Sequence, residues 1–366
     1  MEDTADMNHS SDRRVHGGAS VRLLVMTGAL LACLWSVRAA QASTASRPLV
    51  PEGSMTIPAV PPGPYSDYLC LDLTGERLFA TPQAAKAVAV LDLKDGRVLK
   101  MIRGIGNPHG VFYSPTLQRL FVADGASGDV KVFSGKDYSL IKTIPLAHNA
   151  DGFVYDPQSK YLYVNNGGED AGMSHALISA VDTVRMEKVT DISIATPDLE
   201  ASAIDSGKQL LYVNLVDEAA VAVVDLRKRR VLTTWKLPAG VHNNIAMALD
   251  AAHARLYVAS RDSAMHGSLI VMDTTSGRAV AKLPIGGWAD GISIDYERHR
   301  IYVSTGVGHI DTYAVGSHDT YRREASVDTA VMAKTSVYSR ELDRLYVSVP
   351  HLGETMAQIL IFKPSP

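Results

Sequence analysis

Leu162-Tyr163-Val164-Asn165-Asn166 decides the fold, because its opening Leu-Tyr-Val recurs along the chain. The other copies are Leu78-Phe79-Ala80, Leu120-Phe121-Val122, Leu211-Tyr212-Val213, Leu256-Tyr257-Val258, Ile301-Tyr302-Val303 and Leu345-Tyr346-Val347. Successive copies start 42, 42, 49, 45, 45 and 44 residues apart. A period near 45 residues is the size of one four-stranded propeller blade. Seven copies therefore predict an all-β chain folded as a seven-bladed β-propeller.

Each unit divides further. An inner strand ends at an acid or serine (Asp72, Ser114, Asp156, Asp205, Asp250, Asp295, Ser339), and a polar turn leads into the repeated strand. A third strand such as 88–92 or 221–225 follows, and a more polar fourth, such as 97–102 or 140–144, closes the unit. Short apolar segments bounded by Gly, Asp, Asn and Pro carry the strand signal, and no segment has a helical period. The seventh unit stops after its third strand, 358–362. Met55-Thr56-Ile57-Pro58 matches Lys142-Thr143-Ile144-Pro145, which ends another unit, so the N-terminal segment is predicted to supply the missing outer strand. Closing the ring this way removes free sheet edges.

Residues 23–37 form an apolar run of 15 between Arg22 and Arg38, followed by Ala40-Gln41-Ala42. That is short for a membrane span and has the length and small-x-small exit of a signal peptide. Residues 1–42 read as a signal peptide, 43–52 as a flexible segment and 53–366 as the propeller. The protein is then periplasmic or secreted, with no membrane span after cleavage. The first 22 residues hold four acids against three arginines, so Met7 is an alternative start, and Cys33 lies in a weak lipoprotein-like box. After cleavage Cys70 is the only cysteine, which leaves no disulfide framework and no paired zinc ligands. The 366-residue chain is 46% hydrophobic, with 36 Lys+Arg against 39 Asp+Glu and a net charge of −3. That balance disfavours nucleic acid as a partner, and a monomer is expected.

The seven Leu-Tyr-Val segments, with Leu162-Tyr163-Val164-Asn165-Asn166 foremost, resemble the YVTN β-propeller repeat family and its YncE-like exported, single-domain members. The likeness spans about residues 53–366, although no copy reads Tyr-Val-Thr-Asn literally. It implies an exported repeat protein that binds a ligand or partner, and it brings no catalytic signature.

A site is expected where the fourth-to-first and second-to-third strand loops surround the channel. Five residues before each inner-strand end stand Asp67, His109, Asp151, Glu200, Ile245 (with Asn244 beside it), Asp290 and Lys334. Two residues earlier stand Tyr65, Asn107, Asn149, Asp198, Asn243, Trp288 and Met332. Asp67, His109, Asp151, Glu200, Asn244, Asp290 and Trp288 are the candidate ligand-binding residues. Four converging acids call for a cation or for raised pKa values. Glu200, Asp290, Asp151 and His109 are accordingly candidate ligands for a divalent metal ion, the one cofactor suggested. Seven of the ten histidines after residue 42 (His109, His148, His175, His242, His266, His309, His351) fall in loops of this face.

Phosphate-loop, HExxH, GxSxG and GxGxxG motifs are absent. Two readings stay open. One is a binding propeller for a small ligand, metal ion or periplasmic protein partner. The other is a metal-dependent hydrolase resembling lactonase-type propellers, in which a cation held by Asp, Glu and Asn activates water.

Overall fold

The computed structural model describes residues 47–366. The signal-peptide reading of 1–42 lies outside the described residues. Twenty-eight strands form seven four-stranded antiparallel sheets. Six sheets take their strands in chain order: blade 1 (66–102), blade 2 (108–145), blade 3 (153–194), blade 4 (199–236), blade 5 (244–286) and blade 6 (289–328). In blade 7, Leu49–Thr56 pairs as the outer strand with Gln358–Pro364, followed inward by Arg344–Val349 and Thr335–Ser339. The expected ring closure is thus observed. The propeller begins at Leu49 rather than at 53, so residues 49–52 belong to a paired strand and not to a flexible segment. Among the described residues no helix is long and apolar enough to cross a membrane.

Burial explains the sequence pattern. The repeated strand lies between neighbouring blades, so both of its faces are covered: Leu256, Tyr257, Val258 and Ala259 are all buried. Its apolar run is therefore continuous instead of alternating. Outer strands face solvent, as in Leu140–Pro145, where only Ile144 is buried. The core consists of layers between blades. Tyr163 and Ile178 of blade 3 pack with Leu211 and Val213 of blade 4, and Met55 and Ile57 of the closing strand pack with Leu78 and Ala89 of blade 1.

The inner-strand acids have a local task. Asp72 accepts from the Gly75 N–H at 3.0 Å, Asp205 from Lys208 at 3.0 Å and Asp250 from His253 at 3.1 Å. Each turn then passes through a left-handed residue, at Glu76, Gln118, Lys160, Gln209, Ala254, His299 and Asp343, with φ between 49° and 62°. An aspartate that bonds the backbone two or three residues ahead stabilises such a turn. These turns point away from the channel mouth, which frees the opposite loops to carry the site.

Candidate site at the channel mouth

A cavity of about 420 Å³ opens at the mouth, within the usual size range of ligand sites. Its lining includes Asp67, His109, Asp151, Glu200, Asp290 and Lys334, so six of the seven blade-equivalent positions converge. The seventh, Ile245, does not line it, and Arg261 enters instead from the second-to-third strand loop of the same blade. Below the mouth the channel narrows to a cavity of about 180 Å³, where Leu69, Phe153, Met247, Ile292 and Val337 face inward.

His109 is clamped by two carboxylates. Its Nδ1 lies 2.7 Å from Asp67 Oδ2 and 3.0 Å from Asp151 Oδ1. The Asn107 amide is 2.7 Å from Nε2, and the Gln83 amide reaches both His109 and Asp67. Burial alone would favour neutral imidazole, but the charges and hydrogen bonds of Asp151 and Asp67 outweigh it, and the group is pushed up to about 11. Asp151 is correspondingly lowered: its burial is overcome by the His109 charge and hydrogen bond. Asp67 is raised, because burial and the nearby Asp151 and Asp290 charges exceed what His109 restores.

The other cations hold Asp290. Lys334 Nζ donates to Asp290 Oδ2, and Arg261 reaches the same oxygen at 3.1 Å. Lys334 also lies 5.5 Å from the Tyr65 ring centroid, and the Arg261 guanidinium lies 5.2 Å from that of Trp288. Burial pulls the Lys334 ammonium down, yet the Asp290 charge raises it above its ordinary value. Beneath, the Tyr68 phenol is driven well up by burial and by Asp151, Asp67 and Glu200. Its hydroxyl approaches Gly152 so closely that no side chain fits there.

Glu200, Asp198 and Asp170 of this lining differ, bonded to no basic side chain among the described residues. Glu200 is pushed well above the ordinary carboxyl range by burial and by Asp151 and Asp290. Asp198 is raised by burial and by Asp217 and Asp170. Asn165 fixes the Glu200 backbone, donating to its carbonyl at 2.6 Å and accepting from Ser202 Oγ at 3.1 Å.

Four sequence expectations need correction. Asn244 is fully buried, with its Nδ2 donating to Asn214 Oδ1 and the Ala220 carbonyl (both 2.9 Å), so it joins blades and does not line the site. Of the candidate metal ligands, only His109 and Asp151 meet, and their third partner is Asp67. These three offer donor atoms within 4.8 Å of one another, whereas Glu200 and Asp290 complete no such group among the described residues. Of the seven histidines on this face, His109 alone lines the cavity. His309 is spent beside Asp311 (3.3 Å), and His351 bonds the Val60 carbonyl. Trp288 lines an adjoining cavity instead of the charged one.

Gln83, Tyr68, Asn165, Asp170 and Arg261 were missed. Arg261 was findable as the lone arginine following a repeated strand on this face. A larger cavity of about 510 Å³ lies among turns of the opposite face, lined by His253, His299 and His318. Its arginines are already engaged, Arg255 with Asp319 and Asp273, Arg300 with Glu324. Size alone therefore does not mark it as the working site.

The chain is a seven-bladed β-propeller with a charged pocket at one mouth of its channel. No family model matches it, and no curated protein matches it in sequence. Among solved structures it is similar in fold to a chain of Kuenenia stuttgartiensis hydrazine synthase, at 16% identity and a TM-score of 0.68, over 81% of this chain and 94% of that one. At that identity the likeness concerns the fold alone.

Proposed function

We propose that this is an exported, YVTN-type binding propeller whose channel mouth captures a small organic cation. The leader pattern and the repeat support the first part. The charge balance of the cavity carries the second. Six carboxyl groups (Asp67, Asp151, Asp170, Asp198, Glu200, Asp290) face three cationic side chains (His109, Arg261, Lys334). Carboxyl groups exceed cations by three, and by two if Glu200, pushed up by burial, keeps its proton. The cations are engaged with Asp67, Asp151 and Asp290, so the excess falls on the blade 3 and 4 arc at Asp198 and Asp170. A cavity of about 420 Å³ suits an organic ammonium better than a bare ion.

Calorimetric titration with butylamine and with butyrate, its anionic counterpart in size, tests this. Butylamine should bind, Asp198→Asn with Glu200→Gln should weaken it about tenfold, and butyrate should not bind. Raised carboxyl pKa values keep protons on at acid pH, so affinity should climb as pH rises and Asp198 and Glu200 ionise. Binding of butyrate in preference, or of neither, overturns the proposal.

One observation favours the hydrolase alternative, the compact Asp67–His109–Asp151 donor group. An ion there must displace the His109 proton. With that group pushed up to about 11, displacement costs roughly four orders of magnitude in apparent affinity at pH 7. A stoichiometric divalent ion in protein purified without chelator, removable together with esterase activity, would favour that reading instead.

A further inference from the structure

A second cavity of about 420 Å³ adjoins the charged one, lined by Val216, Ile245, Ala264 and Trp288 together with polar loop residues. Asp198 and Arg261 line both cavities, so the two compartments meet at that pair. Trp288 leaves 36% of its surface exposed even with the Arg261 guanidinium over its ring.

The backbone marks this tryptophan as an unusual occupant. The equivalent loop positions Asn149, Asn243, Trp288 and Met332 are left-handed, with φ of 60°, 51°, 58° and 63°. Asparagine enters that region at little cost because its short amide bonds locally; a bulky side chain has no such compensation. Strain of this kind gathers where a side chain serves a site. The loop opposite packs closely on this backbone: Gly306 N–H donates to the Trp288 carbonyl at 3.1 Å, as Gly125 does to Asn107 and Arg261 to Asn243, and a Cβ on Gly306 would stand 2.7 Å from Trp288 Cβ.

Resting on the organic-cation reading, we propose that the Trp288 compartment is the subsite for an aromatic arm, making the ligand an aryl-bearing amine with its ammonium group against Asp198. The indole supplies a stacking face and an apolar wall, Asp198 supplies the counter-charge, and Arg261 separates the two. An aryl cation would gain both contacts at once, whereas an anion of the same shape would meet Asp198 and Asp262, with the one arginine of the lining, Arg261, already paired with Asp290.

The experiment compares butylamine, cyclohexylmethylamine and benzylamine by calorimetry on the full chain and on Trp288→Leu and Trp288→Phe variants. Benzylamine should bind about tenfold more tightly than butylamine, with cyclohexylmethylamine between them. Trp288→Leu should abolish the aromatic preference, and Trp288→Phe should retain most of it. Retained butylamine binding reports that each variant is folded. Equal affinity for the three amines, or a preference that survives in Trp288→Leu, overturns the subsite and leaves the organic-cation reading standing. Failure of all three to bind the unaltered protein overturns both.

Discussion

Replacing His109 with glutamine separates an internal ion cluster from a site waiting for an external cation. The folded-state imidazole is pushed up to about 11 from an ordinary 6.5, through Asp151 and Asp67. A raised value means that this stabilisation is complete below about pH 6.5 and is lost as pH climbs toward 11, because the unfolded chain gives up the proton first. From pH 7.0 to 8.5 the clamp itself should therefore cost the unaltered protein about 2 kcal/mol, at roughly 1.36 kcal/mol per pH unit, beside any slope that the raised Glu200 adds to both proteins. His109→Gln has no imidazolium proton and should lose the clamp's slope. It also leaves Asp67 and Asp151 facing each other without a cation, a loss of roughly 3–5 kcal/mol at pH 7. Urea midpoints followed by far-UV circular dichroism at the two pH values measure both effects. The interval stops below the range where Cys70, pushed up to about 11 by burial from an ordinary 9.0, would add its own dependence. A flat pH response in the unaltered protein, or the same slope in the variant, would refute the imidazolium clamp.

Deleting residues 43–57 removes the outer strand of blade 7 together with the buried side chains of Leu49, Met55 and Ile57. At roughly 1.5–3 kcal/mol per buried side chain, that should cost at least several kcal/mol and expose a strand edge, seen as a lower melting temperature and concentration-dependent light scattering; an unchanged melting temperature would contradict the closure. Asn244→Ala breaks the buried bonds to Asn214 and Ala220 and should destabilise by about 1–3 kcal/mol while leaving butylamine affinity unaltered. Lost affinity at unchanged stability would return Asn244 to the site.

The fold was legible because two chemical devices repeat in register. The Leu-Tyr-Val strand is buried on both faces in every blade, and the acid or serine at the inner-strand end organises the following turn. Both are local, so spacing alone reveals them. The ring of Asp67, His109, Asp151, Glu200, Asp290 and Lys334 was legible for the same reason, since equal offsets within equivalent blades bring residues to one mouth. What spacing could not show was reach. Arg261 belongs to a different loop class and crosses to Asp290, while Asn244, one residue from a ring position, turns inward between blades. In a β-strand, neighbouring side chains point to opposite faces, so a single-residue offset decides between site and core. Histidine placement misled because loop membership fixes a face of the ring but not the radius: His148, His242 and His266 sit on the exposed rim and do not reach the channel.

The four ring acids were expected to need a cation from outside, and the protein supplies most of that charge itself. His109 from blade 2 serves Asp67 and Asp151, while Lys334 from blade 7 and Arg261 from blade 5 serve Asp290. Compensation is therefore closer on one arc of the mouth than on the other, where Asp170, Asp198 and Glu200 lie near one another and the Arg261 charge offsets Glu200 only in part. Such an arrangement costs less than four unpaired carboxylates, and the mutual repulsion left shows in the raised proton affinity of Glu200 and Asp198. It also gives the mouth a direction. On the proposed reading, a cation entering the cavity would be drawn to the blade 3 and 4 arc, held off Arg261 and Lys334, and oriented so that whatever it carries behind its charge extends along Arg261 toward Trp288. Selectivity would then rest on the spacing between Asp198 and the indole, which a rigid ring of inter-blade packing holds more constant than a loop alone could.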